Sequence, residues 1–124
     1  MPSYSFSKNR RLSKASEFQE VFDRNQIKVA HPNLLLLAKP SDCDQSRLGL
    51  VVGKKNIPTA VGRNRVKRVV RDTFRQTEFP MPLDIIFLAR KDADKLGQNE
   101  LSLLLRQSWG RLLQRFEGLD NKDA

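Results

Sequence analysis

The stretch RLGLVVGKKNIPTAVGRNRVKRVVRDTFR, Arg47 to Arg75, decides how the rest of the chain is read. It opens on an apolar run that ends at Gly53, Lys54 and Lys55. A short apolar run bounded by turn residues reads as a strand, here over 47–54. Apolar on both faces, it is expected to be central. Asn56 to Gly62, with Pro58, is a connection, and Thr59 can cap the helix after it. That helix is expected over about 60–77. Stepped at about 100° per residue, Val66, Val69, Val70, Thr73 and Phe74 fall on one side. Asn64, Arg68, Arg71 and Arg75 fall opposite, with Arg65 and Lys67 on the flanks. An apolar stripe backed by a cationic face marks a docked helix, not a loose basic tail. Asp72 alone opposes the charge, with Arg68 and Asp72 the only i,i+4 pair. Like charges along one face repel, so the face suits a partner that neutralises them. The arginine fork matches phosphate better than the point charge of lysine does.

The flanking sequence supplies the other elements. Ser13, or Ser16 with Gln19, caps a helix over about 14–24 whose face carries Phe18, Val21 and Phe22. Strands are expected near 27–30 and 33–39, either side of Pro32. "FPMP" stops the basic helix, because Pro80 and Pro82 cannot continue it. "LDIIFLAR" reads as a fourth strand over 83–90, and a last helix over about 99–116 carries Leu101, Leu105, Trp109 and Phe116. The order α-β-β-β-α-β-α gives an α+β two-layer sandwich, a small four-stranded sheet with helices on one face. One domain spans 1–124, with a basic arm at 1–12 and a frayed tail at 117–124.

Charge narrows the function. The chain has 124 residues, 39% hydrophobic, with 23 Lys and Arg against 14 Asp and Glu, a formal charge of +9. A folded domain this basic attracts polyanions, nucleic acid first and an anionic membrane surface second. Cys43 is the one cysteine, so an intrachain disulfide is excluded. The N-terminus has no apolar segment of a secretory signal, and no run nears a membrane span. A cytoplasmic protein is expected.

Catalytic constellations are lacking. Gly49 to Lys55 has the wrong spacing for a phosphate-binding loop. His31 is the only histidine, which excludes a histidine dyad within the chain. The loop pairs Asp42 with Asp44 and Asp92 with Asp94 read as turn residues, not as a metal site. Phe18 and Phe22 fit either core packing or an apolar wall for unpaired bases.

Arg47 to Arg75 resembles the bacterial ribonuclease P protein subunit. The likeness rests on a strand ending in Lys-Lys, a short connection, and Arg63-Asn64-Arg65-Val66-Lys67-Arg68 phased into a helix. It extends to "LSKASEFQEVF", "DIIFLARKDA" and the helix of Trp109, covering roughly residues 8 to 116. The resemblance implies a ribosomal protein S5 domain 2-like fold with a left-handed βαβ crossover. It implies a ribonucleoprotein endonuclease that removes the 5′ leader of precursor tRNA. Catalysis there belongs to an RNA subunit using Mg²⁺; no metal is expected on the protein alone, and no catalytic residue in it. The implied partners are ribonuclease P RNA and precursor tRNA, with no membrane and no obligate protein partner. By resemblance Lys54, Asn56, Arg63, Asn64, Arg65, Lys67, Arg68, Arg71 and Arg75 contact the catalytic RNA. Phe18, Phe22, Lys55, Arg90 and Lys91 line a cleft for the single-stranded leader. The family often has an aromatic near position 37, where this chain has leucine. The alternative is a ribosomal or other structural RNA-binding protein of similar fold.

Overall fold

The computed structural model describes residues 10–122, with side chains through 118. Residues 1–9 of the expected arm and the last two residues of the expected tail lie outside these. Helix α1 is Ala15–Arg24, followed by strands β1 (Ile27–His31), β2 (Leu34–Pro40) and β3 (Arg47–Val51). Helix α2 is Ala60–Arg75, β4 is Leu83–Ala89, a 3₁₀ turn spans Ala93–Lys95, and α3 is Gln98–Lys122. The element order is the expected one. The last helix continues to Lys122 instead of ending near 116.

The sheet order is β1-β2-β4-β3, with β1, β2 and β4 antiparallel and β3 parallel to β4. The β3–α2–β4 segment is therefore the βαβ unit, and β4 is central beside β2. β3 lies at an edge, which corrects the expectation of a central strand. Its apolar faces are buried by other means. Leu48 is 2% exposed in the main core. On the outer edge Arg11 bridges Leu48, and the Leu12 amide donates to the Leu48 carbonyl at 3.0 Å. The end of the arm thus covers an edge that would otherwise present unpaired backbone.

The alternation of strand residues gives the sheet two apolar faces. On one face Leu34, Leu36, Leu83, Ile85 and Phe87 pack against Val66, Val70 and Phe74 of α2 and Leu101, Leu105 and Trp109 of α3. The buried Trp109 indole N–H donates to Thr73 Oγ1 at 2.9 Å. On the other face Leu37 and Ile86 pack against Val21 of α1 and against Leu12. Helices therefore cover both faces, which corrects the expectation of helices on one face: α2 and α3 share one, and α1 stands alone on the other. That division leaves a groove beside α1.

The caps differ at α1 and agree at α2. Neither serine caps α1; Glu17 accepts from the amides of Ser13 and Lys14 at 3.0 and 2.9 Å. Thr59 Oγ1 accepts from the Gly62 amide at 3.0 Å, as the sequence suggests. Among the described residues no helix is long and apolar enough to cross a membrane.

Candidate nucleic-acid interface

The α1 side of the sheet is organised in three cross-strand rows, fixed by register. The middle row, Lys28–Leu37–Ile86–Gly49, runs beneath α1. There Val21 is fully buried and Leu37 is 7% exposed. Leu37 thus belongs to the packing under the helix. Gly49 has a steric role: a Cβ on it would lie 2.6 Å from Phe18 Cε1. Its bare backbone lets the Phe18 ring rest on the strand.

The second row, Ala30–Leu35–Leu88–Val51, is only partly covered, with Leu35 and Leu88 packed at the margin of the cluster under α1. Leu35 and Leu88 are half-buried, while Ala30 and Val51 are exposed. Helical spacing sends Phe18 and Phe22 to the side of α1 opposite Glu17 and Glu20. Since Glu17 and Glu20 reach Arg47 and Lys39 in the third row, the two phenylalanines lean toward this open one. Phe18 is half-buried and Phe22 is 40% exposed. The result is an apolar groove with an aliphatic floor and one aromatic wall.

Cations gather where that row ends. β3 and β4 run parallel, so the segments after them leave at the same end. Lys54 and Lys55 occupy the turn after β3, and both are exposed. They lie in that turn, beyond the strand end at Val51. Asn56 Nδ2 donates to the Ala89 carbonyl at 3.0 Å, tying this turn to the end of β4. Arg90 Nη1 donates to the His31 carbonyl at 3.2 Å, and the Arg90 amide to the Asn33 carbonyl at 2.9 Å. Lys91 is exposed, with its carbonyl accepting from Asn33 Nδ2 at 3.1 Å. The structure thus places Lys55, Arg90 and Lys91 along the end of the sheet that carries the open row.

Along α2 the cations divide. Arg63 Nη1 donates to the Ile57 and Pro58 carbonyls at 3.0 and 2.9 Å, bracing the helix start. Arg65 Nη2 donates to the Leu96 carbonyl at 2.8 Å and to that of Asp94, bracing the helix against the 3₁₀ turn. Asn64 and Arg68 are exposed. Arg75 pairs with Asp72, which takes the place expected for Arg68. Arg68 is left pointing to solvent, with no ion pair among the described residues.

Lys67 and Arg71 turn toward β3 instead. They join Arg11, Leu12, Phe18, Leu48 and Leu50 around a cavity of about 160 Å³. Burial, and secondarily the Arg11 charge, lower the Arg71 pKa, yet a guanidinium starts too high to lose its proton. Arg71 Nε is buried and meets no hydrogen-bond partner among the described residues. A buried donor without a partner is costly, so an anionic group entering the cavity would relieve it. This cavity connects the α2 surface to Phe18.

Sequence reasoning missed Arg11 beside this cavity, and missed Leu88, Ala30 and Val51 along the open row. One signal was present: β2 and β4 are apolar on both faces, so both faces need cover. Arg11 carried no signal beyond its charge.

A profile described as Ribonuclease P matches residues 6–113 of the chain. The chain is similar to the ribonuclease P protein component of Marinomonas, at 44% identity over 93% of this chain and 88% of that protein. Solved structures agree. The ribonuclease P protein of Staphylococcus aureus superposes with a TM-score of 0.69 at 28% identity, covering 85% of this chain and 93% of that one. That of Thermotoga maritima gives 0.62 at 28% identity, covering 78% and 96%.

Proposed function

From the premise that the chain belongs to the bacterial ribonuclease P protein family, we propose that it grips two RNAs through two different surfaces. The chain is the protein subunit of a ribonucleoprotein endonuclease that processes precursor tRNA. In this reading the outer face of α2, with Lys54, Asn56, Asn64, Arg68 and Arg75, binds the catalytic RNA. Arg63 and Arg65 hold that face rigid while presenting their remaining donors. The groove beside α1 takes the single-stranded 5′ leader, with its bases on Leu35, Leu88, Phe18 and Phe22 and its phosphates toward Lys55, Arg90 and Lys91. Lys67 and Arg71 face the cavity between the two surfaces and serve both.

The observation that carries this reading is the open apolar row ending in a cationic rim. Phosphate binding alone needs no apolar floor, whereas unpaired bases gain from one. A floor of leucine and valine in place of aromatic rings offers contact without stacking geometry, which suits a leader of varied sequence. In the α1 groove the protein holds substrate and excludes water from the apolar row.

Bond cleavage belongs to the RNA subunit, and so does Mg²⁺, which supplies Lewis-acid chemistry at the phosphodiester. Among the described residues no three His, Cys, Asp or Glu side chains stand together as metal ligands. The protein acts in the cytoplasm, where its substrate is made.

Two substitutions test the division of labour in the assembled holoenzyme. Arg68→Ala is expected to weaken binding to the catalytic RNA, with the salt slope shallower by about one unit. Phe18→Ala is expected to lower affinity for precursor tRNA more than for mature tRNA. Equal effects of Phe18→Ala on both would remove the leader from the groove.

A further inference from the structure

The third row on the α1 side, Lys39–Asp84–Arg47, is charged where the other two are apolar. Asp84 is 2% exposed, and a carboxylate so deep needs partners. Arg47 supplies a fork, Nε to Oδ1 and Nη2 to Oδ2, both at 2.8 Å. Its remaining Nη1 reaches Glu17 of α1 at 2.5 Å. Lys39 Nζ stands 3.9 Å from Asp84 and 3.6 Å from Glu20 of α1. Carboxylates of the helix and the sheet thus alternate with cations of the sheet. Exposed ion pairs contribute little, but this one is sheltered: the Arg47 side chain is 17% exposed and that of Asp84 3%.

We propose that Glu17, Arg47 and Asp84 are positioning residues for leader recognition, setting how far α1 stands from the open row Ala30–Leu35–Leu88–Val51. The inference rests on the reading of that groove as the leader site. Val21 is the one fully buried residue of α1 and serves as its pivot, with the half-buried Phe18 ring resting on Gly49 beside it. The charged clamp lies on one side of the pivot, and Phe18 and Phe22 lie on the other. Rotation about Val21 that lengthens the Glu17–Arg47 contact presses Phe18 onto β3 and lowers the exposed Phe22 toward the open row. The clamp therefore fixes the width of the groove from the far side of the helix.

Glu17 suits this task because it joins two jobs. One carboxylate oxygen caps α1 through the Ser13 and Lys14 amides, and the other holds Arg47. Those amides first, and then Arg47, hold its carboxyl below the usual range, so the clamp is charged at neutral pH. Asp84 above all raises the Arg47 pKa, which leaves the guanidinium permanently protonated.

The test uses the holoenzyme with Glu17→Gln, which keeps an acceptor for the two amides but offers Arg47 no charge. Affinities are measured for precursor tRNA, mature tRNA and the catalytic RNA. The precursor-to-mature affinity ratio is expected to fall roughly fivefold, the upper end of what one partly exposed ion pair contributes. Affinity for the catalytic RNA is expected to hold. Arg47→Lys keeps the charge beside Asp84 but cannot fork to both carboxylates, and is expected to act in the same direction. Combined with Phe18→Ala, Glu17→Gln is expected to add less than it does alone. If Phe18→Ala lowers the ratio and Glu17→Gln leaves it unchanged, or weakens both tRNAs equally, the positioning role is overturned and the groove stands. If neither substitution changes the ratio, the groove reading falls and the positioning role falls with it.

Discussion

Gly49→Ala is the smallest perturbation that reaches the groove. In the middle of a strand, alanine normally stabilises relative to glycine by about 0.5–1 kcal/mol, because the unfolded chain loses freedom. Gly49 carries no positive φ, so backbone strain does not oppose the change. Space does. The new Cβ would lie 2.6 and 2.7 Å from Phe18 Cε1 and Cζ, and 3.1 Å from Leu12 Cβ. Ring atoms at that distance must move, and Leu12 closes the alternative side. Overpacking of this kind costs about 1–3 kcal/mol. The net expectation is a destabilisation on the order of 1 kcal/mol, the sign being opposite to that of an open strand site. Urea denaturation of the protein measures it, through the midpoint at constant slope. Phe18→Leu removes the clashing ring, so in that background Gly49→Ala is expected to be neutral or stabilising. A Gly49→Ala protein more stable than the parent would refute the seating of Phe18 on β3.

Three further outcomes follow from the contacts. Thr73→Val leaves the buried Trp109 N–H without its acceptor and is expected to cost about 1–3 kcal/mol by thermal or urea denaturation. Arg65→Ala is expected to lower stability as well as RNA affinity, because its guanidinium holds two backbone carbonyls, whereas exposed Arg68→Ala lowers affinity alone. Glu17 has a folded pKa below its unfolded value near about 4.3, so its contribution is fully present above that value and is lost as pH falls through the folded pKa. Glu17→Gln is therefore expected to narrow the stability gap to the parent in acid, read as denaturation midpoints from pH 6 down to about pH 3.

The basic helix was legible because its signals agree. Valine phasing, Thr59 at the cap and the prolines after it all set the same segment. The split among its cations was not. The wheel sets Arg65 and Lys67 on the flanks and Arg68 and Arg71 opposite the stripe, but it shows neither the carbonyls of the 3₁₀ turn that hold Arg65 nor the cavity that takes Arg71. β3 was misplaced for a related reason. Apolar residues on both sides of a strand indicate cover, and sequence does not distinguish a neighbouring strand from Leu12 and Phe18. The clamp was hidden because Glu17, Arg47 and Asp84 are far apart in sequence. Each is an ordinary charged residue until register and helix packing bring the three together.

The central claim is that one chain holds two RNAs on separate surfaces, and site-specific photocrosslinking in the holoenzyme tests it most directly. A photoreactive residue replaces Leu35 on the groove floor in one protein and Arg68 on α2 in another, with precursor tRNA bound. Position 35 is expected to attach to leader nucleotides and position 68 to the catalytic RNA. Attachment of position 35 to the catalytic RNA, with the leader unlabelled, would contradict it.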